Sequence, residues 1–116
     1  LEFEFEFGAN ELDERNWVVD FGGLKELESW LRKNFDHKTL VASDDPKLSE
    51  FESMKENGII DLIVVESTGA EMFAQMAMEY STKLIAENYG DRCWVESVTV
   101  REHGANSAKC KREIET

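Results

Sequence analysis

Positive charge is scarce in this chain. Thirteen Lys and Arg stand against 25 Asp and Glu, a formal net charge of -12 over 116 residues. That balance excludes nucleic acid as a general partner, because its phosphates need a basic footprint. It also excludes an anionic membrane surface, which attracts clusters of Lys and Arg. A phosphorylated small molecule stays open, since a few local cations can govern a pocket, although the global field opposes its approach. Cysteine is nearly absent too. Cys93 and Cys110 have no metal-like spacing and form no framework, so reduced thiols in a cytoplasmic protein are expected. No apolar run reaches the length of a membrane span, and no signal-peptide pattern, repeat or linker is present.

What remains is the composition of one folded domain, residues 1–116, with 41% hydrophobic and 10% aromatic content. The chain starts at Leu1 already inside an alternating pattern, from which we expect an N-terminal piece to precede it. Leu1-Glu2-Phe3-Glu4-Phe5-Glu6-Phe7 alternates apolar and acidic, the mark of a strand with one wet face. Gly8-Ala9-Asn10 reads as a turn, residues 11–16 as a polar loop, and Trp17-Val18-Val19 as a short extended piece.

Asp20 can cap a helix over residues 24–35, with Leu24, Leu27, Leu31 and Phe35 on one face and Trp30 beside it. Asp45-Pro46 opens a short second helix carrying Leu48, Phe51 and Met54, closed by Asn57-Gly58. Residues 59–65 form a buried strand-like run. Thr68-x-x-Glu71 has the form of a capping box for a long helix whose inner face carries Phe73, Met76, Tyr80 and Leu84. Met72, Met76 and Met78 read as core filling. A strand over residues 94–103 and a last strand over residues 107–114 make a hairpin. Without a βαβ rhythm of equal units, an α+β layer sandwich is expected rather than a doubly wound parallel sheet.

Three places could carry chemistry. Glu102 shares the even positions of its strand with Trp94, Glu96, Val98 and Val100, the side expected to be covered. A carboxylate there is paired, protonated, used as a bidentate acceptor for an amino group and ring N–H, or else solvated at an exposed strand end. Asp36-His37 is either a polar helix exit or an imidazole oriented by a carboxylate for proton transfer. His103 points to the face opposite Glu102 and reads as a surface or interface residue. Glu71 has a capping role to fill, and the same helix start offers free N–H groups to a polar ligand. Lys38, Arg101, Lys109, Lys111 and Arg112 are the cations that could meet a triphosphate, or stay solvated.

Taken in order, Val19-Asp20-Phe21-Gly22-x-Leu24-Lys25, Asp36-His37, the helix start at Glu71, and Glu102 resemble the 6-pyruvoyltetrahydropterin synthase / 6-carboxytetrahydropterin synthase family. The similarity runs from about Leu12 to Ser107. It implies the tunnelling fold, an antiparallel sheet with two main helices on one face. It implies assembly through the sheets into a homo-oligomer, a hexamer built as a dimer of trimers, with sites shared between subunits. It further implies a pterin substrate of the dihydroneopterin triphosphate type, Asp36 and His37 in proton transfer, and Glu102 anchoring the pterin ring. Glu71 and Thr68 would lie at the same pocket. The family's zinc is held by three histidines near its N-terminus, and its cysteine base lies close by. With only His37 and His103, this chain supplies no such ligand set, and neither Cys93 nor Cys110 matches that cysteine. Two functions follow: a pterin-modifying lyase, or a tunnelling-fold module that binds a pterin or purine through Glu102 without catalysis.

Overall fold

The computed structural model describes residues 1–102 and 106–113. The chain runs β1 (Glu2–Ala9), α1 (Lys25–Phe35), β2 (Thr39–Ala42), α2 (Leu48–Glu56), β3 (Leu62–Val65), α3 (Ala70–Tyr89), β4 (Cys93–Arg101) and β5 (Ser107–Lys111). Strands β1, β4 and β5 form an antiparallel sheet in that order. Helices α1 and α3 cover its apolar face, so the α+β expectation holds.

The alternation of β1 is used as its sequence suggests. Phe3, Phe5 and Phe7 pack against the core while Glu2, Glu4 and Glu6 stay exposed. Phe3 lies opposite Val100 and Phe5 opposite Val98. Two-fold periodicity fails in β4, however. Glu6 faces Ser97 and Phe7 faces Val95, which leaves Glu96 as an extra residue without a partner on β1. This bulge switches the faces: Cys93 and Val95 point into the core before it, Val98 and Val100 after it. Trp94 and Glu96 therefore do not share the face of Val98 and Val100. Instead the Trp94 indole N–H donates to Glu96 Oε2 at 2.7 Å.

Asp20 does act as a cap, but of a 3₁₀ turn over Phe21–Leu24, where its carboxylate accepts the Gly22 N–H at 2.8 Å. The α-helix begins one turn later and buries Leu27. Asp45 likewise caps a turn, accepting the Lys47 N–H at 2.8 Å, and α2 starts only at Leu48. The buried side of α3 places the small residues Ala70, Ala74, Ala77 and Ser81 beside Phe73, Met78, Leu84 and Ile85, with Met76 and Tyr80 only half-buried. Small side chains let the sheet approach the helix axis closely. Buried Ser81 satisfies its hydroxyl by donating to the Ala77 carbonyl at 2.6 Å.

Residues 39–42 form a strand that the sequence pattern did not announce. β2 pairs in parallel with β3, and α2 makes the crossover. The run over residues 59–65 is only partly buried: Ile59 is 69% exposed and Val64 46%. Trp17-Val18-Val19 forms no strand; Val18 and Val19 lie in bends. His103 and Ile114 lie outside the described residues.

Candidate functional site

An aromatic cluster joins the segments that carry the candidate residues. The Phe35 ring lies 4.8 Å from Phe3 and 5.4 Å from Phe73, centroid to centroid. Trp30 stacks on Tyr80 at 4.4 Å, so α1 and α3 run antiparallel and the end of one meets the start of the other. Phe3 faces Val100 near the end of β4. Asp36 follows Phe35 directly, Glu71 precedes Phe73 by two residues, and Glu102 follows Val100 by two. Three chain segments distant in sequence thus converge at one end of the domain.

The α1 exit is well defined. The Asp36 N–H donates to the Arg32 carbonyl at 3.1 Å and closes the helix. His37 then takes φ of 55°, a left-handed conformation that few non-glycine residues adopt. Its Nε2 lies 3.5 Å from Asp36 Oδ1, longer than a well-formed hydrogen bond, and the imidazole is 95% exposed. The next two residues are gripped by Asp61, whose carboxylate pairs with the Lys38 ammonium and whose carbonyl accepts the Thr39 N–H at 2.8 Å. That clamp leaves no local trace in the sequence, because it depends on the β2–β3 pairing.

At the start of α3 the capping box is not formed. Gly69 occupies the cap position and no side chain caps the helix. Thr68 and Glu71 are both exposed, with the Glu71 carboxylate folded toward Gly69. Glu102 lies one residue past the β4 ladder and is half-buried, its N–H donating to the Asn106 carbonyl at 3.0 Å. Among the described residues no ion pair involves Glu102 or Glu71.

The candidates do not share one cavity. Asp36 lines a cleft of about 250 Å³ with Leu1, Phe3, Leu31, Arg32 and Phe35. Glu71 lines a separate groove of about 1080 Å³ between α3 and β5, floored by Met78, Ala108 and Cys110. His37, Thr68 and Glu102 line neither.

Of the cations noted in the sequence, Lys38 pairs with Asp61, and Arg101 with Glu4 at 2.5 Å and Glu2 at 3.6 Å. Arg112 lies over the Trp94 ring at 4.3 Å. Lys109 and Lys111 are exposed on β5. Arg92, which the sequence did not single out, supports the loop before α1. Its guanidinium donates to the carbonyls of Glu11, Trp17 and Val18 at 2.9–3.4 Å. In the same loop the Asp13 carboxylate accepts the N–H groups of Trp17 and Arg15, which hold its pKa below the usual value. Burial raises the thiol pKa of Cys93 and of Cys110, both free.

Among the described residues no group of three or more His, Cys, Asp or Glu is arranged to hold a metal ion. The described residues therefore offer no zinc ligand set. No helix of the described residues is long and apolar enough to cross a membrane.

The order of segments, the antiparallel sheet and the two helices on its face define one class of protein. The chain matches the family "6-pyruvoyl tetrahydropterin synthase" over residues 1–113 and belongs to it. Over 48 residues it is 35% identical to a 6-carboxy-5,6,7,8-tetrahydropterin synthase of Rickettsia conorii (strain ATCC VR-613 / Malish 7). It is 33% identical over 48 residues to the enzyme of that name from Rickettsia felis (strain ATCC VR-1525 / URRWXCal2). Each match takes in 40% of this chain and spans 35% of the relative's own length. In three dimensions the chain is similar to the crystal structure of an uncharacterized protein from Wolinella succinogenes. The TM-score is 0.80 with 19% identity, covering 96% of this chain and 76% of the other.

Proposed function

We propose that this chain is the pterin-recognising part of a lyase that acts on a dihydroneopterin triphosphate-like substrate. The observation that carries the reading is the convergence of the α1 exit, the α3 start and the β4 end on one aromatic cluster, within a family match spanning residues 1–113. Glu102 accepts the pterin's amino group and ring N–H as a bidentate carboxylate. Glu71 and Thr68 sit beside the ring at the free N–H groups of α3. Asp36 and His37 move the protons of the side-chain rearrangement. Asp36 and Glu71 line separate clefts at that end, which fits a site completed by a second copy. We therefore propose a homo-oligomer assembled through sheet edges, a hexamer built as a dimer of trimers. The zinc that the family resemblance implies finds no ligand set among the described residues. The two free thiols fit a reducing, cytoplasmic setting.

A second reading is a pterin or purine binder without catalysis. The open geometry of Asp36 and His37 favours it, because an almost fully exposed imidazole 3.5 Å from its carboxylate is a poorly held proton carrier. The upstream coding sequence separates the two: a His-x-His segment there supports the lyase, and its absence supports the binder. Both readings require pterin binding. Titrating neopterin into the protein by calorimetry should give saturable heat, and no detectable binding would remove both.

A further inference from the structure

Resting on the proton-transfer reading of Asp36 and His37, we infer that Asp61 is a positioning residue for that pair. It acts through Lys38 and Thr39 and holds the turn that carries the imidazole. In the sequence Asp61 is the one charge inside the apolar run Ile59-Ile60-Asp61-Leu62-Ile63-Val64-Val65. In the fold it lies just before β3 and reaches the two residues that follow His37. Its carboxylate pairs with the Lys38 ammonium, and its carbonyl accepts the Thr39 N–H at 2.8 Å. The β2–β3 ladder starts at once, with Thr39 opposite Leu62.

The pair has little of its own to fix it. The Asp36 and His37 side chains are 58% and 95% exposed and meet each other only at 3.5 Å. Their direction is therefore set by the backbone on either side. On the near side the Asp36 N–H closes α1 onto the Arg32 carbonyl, and the Phe35 ring packs against Phe3 and Phe73. On the far side stands Asp61. Between these anchors Asp36 (φ -80°, ψ 120°) and His37 (φ 55°) take the two central places of a type II β-turn. The second of those places suits glycine, and a larger side chain persists there where its surroundings over-determine it. An exposed ion pair would add little to that hold. The Lys38 side chain is only 20% exposed, however, so its charge is largely covered and Asp61 is its partner. A covered ammonium that loses its carboxylate must swing out to water, and the turn moves with it.

The test uses the full 116-residue chain with isotope-labelled histidine, which gives two backbone signals because His37 and His103 are its only histidines. The His37→Gln variant identifies each signal. In the unmodified protein the His37 Cα and Cβ shifts should be those of an ordered left-handed residue. Asp61→Ala keeps the backbone bond to Thr39 and should melt close to the unmodified protein, yet it should average or broaden the His37 signal. Asp61→Glu should restore it. Should Asp61→Ala fail to fold, Lys38→Ala, which leaves no covered charge unpaired, carries the same test. Assayed with 7,8-dihydroneopterin triphosphate, Asp61→Ala should lower kcat about tenfold and leave KM within about twofold. A His37 signal that keeps its left-handed shifts in the Ala variants would overturn the inference, and so would a change confined to KM. An unmodified protein without turnover removes the lyase reading, a different failure, and the histidine signals still decide the positioning.

Discussion

The Asp13 carboxylate shows how much a single side chain can organise here. It holds two backbone N–H groups of the loop that leads to Asp20 and α1. Those N–H groups stabilise the ionised form and depress its folded-state pKa below 3.8. A depressed acid contributes stability above its unfolded pKa and loses it as pH falls through the folded value. Melting temperatures of the protein and of Asp13→Asn should therefore differ at pH ~6 and converge as pH falls well below that range. A gap that persists at the lowest pH would show that the charge is not what matters. The thiols give a second residue-scale expectation. With Cys93 buried and both thiol pKa values raised, alkylation at neutral pH should be slow, slowest at Cys93. Mass spectrometry of a timed alkylation reads this directly, and fast labelling of Cys93 would contradict its burial. Asp36, His37 and Glu102 could be picked out in the sequence by residue type and order. The looseness of the Asp36–His37 contact could not, because it follows from the left-handed turn at His37.

Among elements, apolar spacing marks β1, α1 and α3, whereas the β4 bulge and the β2–β3 pairing leave no such mark. β1, α1 and α3 followed their apolar spacing, which burial enforces along each element separately. The parallel β2–β3 pair escaped because pairing joins residues more than twenty positions apart and leaves no local trace. The bulge at Glu96 escaped because one extra residue looks identical in sequence to uninterrupted alternation. It matters for Gly8, which lies opposite Trp94; a Cβ there would come within 2.6 Å of the indole nitrogen. Gly8→Ala should displace the ring, break its bond to Glu96 and cost about 1–3 kcal/mol in urea unfolding. A neutral result would mean that the Trp94 position is soft. The unformed capping box makes the opposite forecast. Thr68→Ala should change stability by less than ~0.5 kcal/mol, where a true cap would cost ~1 kcal/mol.

At the scale of the whole molecule, the single chain exposes more surface than a compact monomer of its mass. Its accessible surface is 8039 Å², while a compact monomer of 13.3 kDa is expected near ~6,500 Å². Its radius of gyration is 16.5 Å against ~13 Å, and it extends 52 Å in its longest direction. The excess surface exceeds the roughly 800 Å² that each partner buries in a standard interface. Light scattering at micromolar concentration should thus report an oligomer; a monomer would count against a site shared between copies. If Glu102 holds the pterin, one paired titration shows it directly. Glu102→Gln preserves shape but replaces an acceptor oxygen with a donor amide, so neopterin binding should weaken by about 2–4 kcal/mol. The melting temperature should barely move or rise, since an unliganded, half-buried carboxylate is itself costly. Unchanged neopterin affinity in Glu102→Gln would show that Glu102 does not hold the ring.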